Sequence, residues 1–233
     1  MNEGKTVRNI AIDGPSGAGK STLSRMLAER FGLIYVDTGA LYRTVGLFVL
    51  RSGVDPHAQE RVIELLPDIH VRMNYDARGV QRMILNDEDV SSDIRLPEVS
   101  ICASDVSAIP EVRRFLLHMQ QQIARTNSVI MDGRDIGTVV LPDAGLKIFL
   151  SASPEDRARR RFDELVQKGI STTYEDVLRD INYRDRNDSS RAAAPLRPAE
   201  GAVMIDTTGY SLEESYSLLS DLVRKYLDRA GES

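Results

Sequence analysis

The chain has 233 residues, of which 42% are hydrophobic and 28% charged, and a formal net charge of −5. No apolar run reaches membrane-spanning length, residues 1–5 lack a signal-peptide core, and the acidic total argues against nucleic acid as a partner. A single cysteine, Cys102, excludes an internal disulfide framework, and His57, His70 and His118 lack metal-ligand spacing, so a cytoplasmic enzyme of bacterial type is expected.

Residues 8–13 read as a short buried strand. Gly14-Pro15-Ser16-Gly17-Ala18-Gly19-Lys20-Ser21 follows and matches G-x-x-x-x-G-K-[ST], the phosphate-binding loop. Residues 21–31 repeat Leu23, Met26, Leu27 and Phe31 at helical spacing. Strand, glycine turn and helix is the context in which backbone amides and a helix N-terminus cradle a phosphate. Lys20 is placed to reach the β- and γ-phosphates, and the Ser21 hydroxyl to ligate Mg²⁺.

Four further apolar runs, at 33–36, 128–132, 146–150 and 202–206, read as strands with helical patterns between most of them. This predicts a parallel, doubly wound α/β sheet. The long gaps after the second and fourth runs should hold added structure. In the first gap, helical patterns at 40–51 and 56–66 give way to period two at 70–75 and 80–85 around a turn at 76–79. A second turn at 86–89 completes a small antiparallel sheet, and helices at 97–108 and 111–125 follow. The second gap reads as helices at 154–168 and 173–188, then an Ala/Pro-rich loop ending near Gly201.

Three other segments carry chemistry. Asp37-Thr38-Gly39-Ala40-Leu41-Tyr42-Arg43 follows the second strand, where Thr38 and Arg43 suit a phosphate and Asp37 or Thr38 equally suits a helix cap. Asp132-Gly133-Arg134-Asp135 ends the third strand, with Asp132 placed as a Mg²⁺ carboxylate; a tight turn with an internal ion pair is the alternative. The densest charge run is Arg184-Asp185-Arg186-Asn187-Asp188-Ser189-Ser190-Arg191, joined by Arg157, Arg159, Arg160 and Arg161. It reads as a mobile arginine flap over the crevice or as a solvated helix face. Of the 30 basic residues only five are lysine, and the planar guanidinium suits phosphate recognition.

GPSGAGKS, DTGALYR, DGRD with IGTVVLPDA, and RDRNDSSRAAAPL together resemble the long bacterial type of cytidylate kinase, within the P-loop nucleoside monophosphate kinases. The resemblance covers about residues 8–228. It implies a P-loop NTPase core with a five-stranded parallel sheet flanked by helices (1–37, 128–153 and 202–233). It further implies a nucleoside-monophosphate-binding insert with a small antiparallel sheet (38–127) and a helical lid (154–201). The implied reaction moves the γ-phosphoryl group of ATP to CMP or dCMP with Mg²⁺, in a protein expected to be a monomer.

By matching positions, ATP would meet Gly14, Pro15, Ser16, Gly17, Ala18, Gly19, Lys20, Ser21, Thr22 and Arg157. The acceptor phosphate would meet Thr38, Arg43 and Arg134, the cytosine Ser104, Arg113 and Asp135, and the sugar Arg184 and Asp188. Lys20, Arg134, Arg184 and Arg191 would be catalytic, and Ser21 with Asp132 would hold the metal. Asp206-Thr207-Thr208-Gly209 matches the D-x-x-G of switch GTPases, but no N-K-x-D accompanies it. A related kinase for UMP, AMP or a small alcohol is the remaining alternative.

Overall fold

The computed structural model describes residues 7–229. Residues 1–6 and 230–233, including the segment read above as lacking a signal core, lie outside the described residues.

The first strand, β1 (Ile10–Asp13), is buried on both faces and leads through the glycine loop into α1 (Lys20–Phe31). Then come β2 (Ile34–Asp37), α2 (Thr38–Arg51) and α3 (Gln59–Leu65). The strands β3 (Val71–Tyr75), β4 (Gln81–Leu85) and β5 (Glu88–Asp89) precede α4 (Pro97–Val106) and α5 (Pro110–Thr126). Next are β6 (Val129–Gly133), β7 (Leu146–Ser151), α6 (Pro154–Gln167), α7 (Tyr174–Ser190), β8 (Val203–Asp206) and α8 (Leu212–Arg229).

The expected α/β architecture is present. All five apolar runs form one parallel sheet in the order β2-β6-β1-β7-β8. Near-continuous apolar strands are what a sheet covered on both faces requires. Its core joins Ile10, Ile12, Ile130 and Ile148 to Leu23 and Leu27 of α1 and to Leu219 and Val223 of α8.

The register sets the carboxyl ends side by side: Asp37 pairs with Asp132 across β2 and β6, and Asp13 with Gly133 across β1 and β6. In such sheets the crevice outside these ends takes the ligand. No helix among the described residues is long and apolar enough to cross a membrane.

The small sheet has three strands, ordered β3-β4-β5. The segment 86–89, expected as a turn alone, turns at Asn86 and Asp87 (φ 45° and 73°) and then adds β5. Gln81 of β4 pins this sheet to the main one: its side chain accepts from the Asp37 amide at 2.8 Å and donates to the Asp37 carbonyl at 3.2 Å. Helices α2 and α4 cross closely at Gly46, where a Cβ would lie 3.0 Å from the Ala103 amide nitrogen. Cys102 is buried in this contact, as expected of a small apolar side chain.

Helices α6 and α7 pair through their own small core of Ala158, Leu165, Val177 and Ile181, and Ser153 and Thr173 cap their N-termini.

The close approach of the glycine loop to β7 leaves no room for a side chain at Gly14. At Gly14 (φ 151°) a Cβ would fall 1.9 Å from the Leu150 carbonyl oxygen of β7. Gly53 also has positive φ (65°) but faces open space. Gly53→Ala should therefore cost about 1 kcal/mol of unfolding free energy, and Gly14→Ala roughly 3 kcal/mol or more, by urea denaturation. Equal losses would show that close approach to β7 does not constrain the loop.

Candidate active site

The phosphate loop turns through Gly14, Gly17 and Gly19, all at positive φ. Gly19 sits at the N-cap of α1 in the left-handed conformation, with no side-chain cap on the first turn. The first amides of α1 are thus left without a capping side chain at a helix end that favours anions. Lys20 is buried and donates to the Pro15 carbonyl at 2.7 Å. Burial, then the nearby Arg134 guanidinium, lower its pKa well below that of a free lysine.

Ser21 and Asp132, the pair expected to hold Mg²⁺, lie side by side. The Ser21 hydroxyl donates to Asp132 Oδ2 at 2.9 Å, and the Tyr35 hydroxyl donates to Oδ1 at 2.9 Å. Burial, and then Asp37 beside it, raise the Asp132 pKa. Among the described residues no three His, Cys, Asp or Glu side chains converge as a metal cage. A hydroxyl next to one carboxylate is a hard-oxygen donor pair that suits Mg²⁺, which keeps waters and phosphate oxygens as its other ligands.

Of the two readings of the segment after β2, the helix cap is present. Asp37 caps α2, accepting from the Ala40 amide at 2.9 Å, and pairs with Arg43 at 2.8 Å and Arg95 at 3.0 Å. Burial works against its charge, but Arg43 and Arg95 hold its pKa below the usual carboxylate value. Thr38 turns its hydroxyl onto the Asp132 carbonyl at 2.7 Å, tying α2 to β6.

The tight-turn alternative for Asp132–Asp135 fails, because neither neighbour pairs with the other. Arg134 Nε reaches Asp188 of α7 at 2.7 Å, and Asp135 makes an ion pair with Arg113 of α5. Arg113 also donates to the Ser107 carbonyl at 3.2 Å and lies over the Tyr42 ring. Beside this pair a cavity of about 260 Å³ is walled by Leu117, Val139, Val140, Ala193 and Ala194. A shallow depression over Ala58, Gln59, Glu60 and Arg61 carries none of these groups.

The arginine run divides on inspection. Arg184 is half-buried, and burial followed by the Arg134 charge lower its pKa to about 10. Arg191 donates to Ser107 Oγ at 2.9 Å and to the Ala194 carbonyl at 3.1 Å. Arg157 lies under the phosphate loop, donating to the Ser16 carbonyl at 2.9 Å and the Ala152 carbonyl at 2.8 Å, and gripping Asp185. Arg159 and Arg160 do not join the cluster: Arg159 stacks on Tyr174, and Arg160 binds the Thr207 and Tyr210 carbonyls. The Nε atoms of Arg43, Arg184 and Arg191 are buried with no hydrogen-bond partner among the described residues. Three orphaned guanidinium donors around Lys20 and Arg134 are what an incoming polyphosphate would satisfy.

Several neighbours carried no sequence signal. Asp13 accepts from the Ile136 and Gly137 amides at 2.8 and 2.7 Å, holding a single π-helical turn (Ile136–Val140) directly after Asp135. Burial is the largest cause of its pKa rising to about 6. Tyr35 and Arg95 entered through strand and insert positions that no motif marks.

The cytidylate kinase family model matches residues 10–225. A cytidylate kinase of Caldicellulosiruptor bescii is 52% identical over 93% of this chain and 96% of its own. One from Streptococcus suis is 44% identical over 94% of this chain and 98% of its own. A solved structure of a protein from Eubacterium ventriosum shares the fold, with a TM-score of 0.50 at 12% identity over 95% of this chain and 98% of its own. With these matches over nearly the full length, the chain belongs to the cytidylate kinase family.

Proposed function

We propose that this protein transfers the γ-phosphoryl group of ATP to CMP or dCMP, giving ADP and CDP or dCDP. The observation that carries the reading is the Arg113–Asp135 pair beside an apolar-walled cavity, one residue from Arg134, whose charge acts on Lys20. The elements divide the work into a core (1–37, 128–153, 202–233), an insert for the acceptor (38–127) and a lid (154–201). The same reading takes the enzyme to be cytoplasmic and monomeric.

ATP would lie with its phosphates over the 14–22 loop, backed by Lys20 and by the first amides of α1, with Arg157 bracing the loop from below. Ser21 and Asp132 would hold Mg²⁺, which would supply positive charge to offset that of the phosphates. The CMP phosphate would sit among Arg43, Arg134 and the Thr38 segment. Its second pKa is near 6, so at neutral pH it needs no general base. One of its oxygens attacks the γ-phosphorus, the bond to the β-bridging oxygen breaks, and ADP leaves. Lys20, Arg134, Arg184 and Arg191 would hold the transferred group and its spreading charge; closure of the lid excludes water. Arg184 and Asp188 would face the sugar.

Base choice follows from donor and acceptor placement. Cytosine offers an N4 amino donor, which the Asp135 carboxylate accepts, while Arg113 and Ser104 donate to its acceptors. Uracil would set its O4 against the carboxylate, acceptor to acceptor.

Lys20→Ala should lower kcat by a factor of about 10² or more while circular dichroism and melting stay near those of the parent. Near-normal turnover would mean that the loop lysine does not serve the phosphates. Asp135→Ala should lower kcat/KM for CMP roughly 10- to 100-fold more than for UMP, narrowing the ratio between them. Equal losses on both substrates would remove Asp135 as the reader of the amino group.

A further inference from the structure

Asn187 stands inside the arginine run, yet the roles above do not use it. On α7 it lies one turn from Tyr183, so both side chains share a face. That face meets α4 at Ser104 and Asp105. Asn187 Nδ2 is 3.0 Å from Ser104 Oγ and 3.2 Å from Asp105 Oδ1. The Tyr183 hydroxyl donates to the same Asp105 oxygen at 2.7 Å. Asp105 is buried, and its other oxygen has His57 at 3.8 Å.

The chemistry fixes the direction of these bonds. An ionised carboxylate only accepts, so the Asn187 group facing Asp105 must be the amide nitrogen rather than its oxygen. The same nitrogen then donates to Ser104 Oγ. A hydroxyl that accepts there keeps its own proton to give. Among the described residues that proton meets only Asp188 Oδ1, at a long 3.4 Å. Cytosine presents acceptors at O2 and N3.

We propose that Asn187 is a positioning residue that sets the Ser104 hydroxyl as a hydrogen-bond donor to the cytosine ring, and that the Asp105–Tyr183 bond holds Asn187 in place. Docking of α7 then completes the base site as well as the phosphate site, which links recognition of the acceptor to lid position. This rests on the reading of Ser104 as a contact to the base.

The test uses the full chain and steady-state kinetics with ATP and CMP. Asn187→Ala should raise KM for CMP about tenfold, the scale of one or two neutral hydrogen bonds, and leave KM for ATP within about twofold. Tyr183→Phe, which removes one oxygen and little else, should raise KM for CMP about threefold. In a Ser104→Ala background both effects should shrink below about twofold, because a residue acting through Ser104 has nothing left to orient. Equal factors in the two backgrounds, or an equal rise in KM for ATP, would reduce Asn187 and Tyr183 to plain lid adhesion and overturn the inference. Failure of the unsubstituted protein to phosphorylate CMP would instead overturn the functional reading, and the inference with it.

Discussion

Lys20, Arg134 and Arg184 converge closely enough that each works against the charge of the next, and Arg184 falls to about 10 under burial and the Arg134 charge. Such crowding of cations is costly in a partly desolvated crevice. It is tolerated because carboxylates stand among them. The strand order β2-β6-β1 supplies Asp37 and Asp132 in register, and α7 supplies Asp188, which Arg134 grips at 2.7 Å. The donors left over are the orphaned Nε atoms of Arg43, Arg184 and Arg191; Arg184 feels the charges of Arg43 and Arg134, and Arg191 that of Arg134. A polyanion that entered would both relieve the repulsion and satisfy the orphans. Charge placed before the reaction costs no reorganisation during it, which is how phosphoryl transfer is accelerated.

Two sets of contacts join α6 and α7 to this arrangement. The Arg157 guanidinium is divided among Ser16, Ala152 and Asp185, which ties the base of α6 to the phosphate loop and to α7. Asp188 and Arg191, next to Asp185 at the C-terminal end of α7, reach Arg134 and Ser107. The polar contacts lie where nucleotide groups would compete for the same donors.

What the sequence made legible was local. The glycine loop, the five strands and the carboxylates at their ends follow from short-range spacing, because a phosphate loop is built from consecutive amides and a strand from a run of apolar side chains. Partnerships across long separations were not legible. Arg134 chose Asp188, 54 residues away, rather than its neighbour Asp135. Asp135 took Arg113, 22 residues back. The π-helical turn depends on Asp13 reaching 123 residues ahead, and nothing near Ile136 announces it. β5 is two residues long and α8 lies beyond the last motif, so neither stood out from its flanks. In a chain so rich in arginine, composition could not say which guanidinium serves the crevice and which, like Arg160, closes a carbonyl cluster elsewhere.

If one crevice joins a γ-phosphoryl donor site to a cytosine reader, ADP formation by the purified protein with ATP, Mg²⁺ and a panel of nucleoside monophosphates shows it most directly. CMP and dCMP should exceed UMP and AMP in kcat/KM by roughly 10²-fold, the scale set by an unpaired buried acceptor together with lost orientation. A preference for AMP or UMP, or no ADP formation with any of them, would contradict the account.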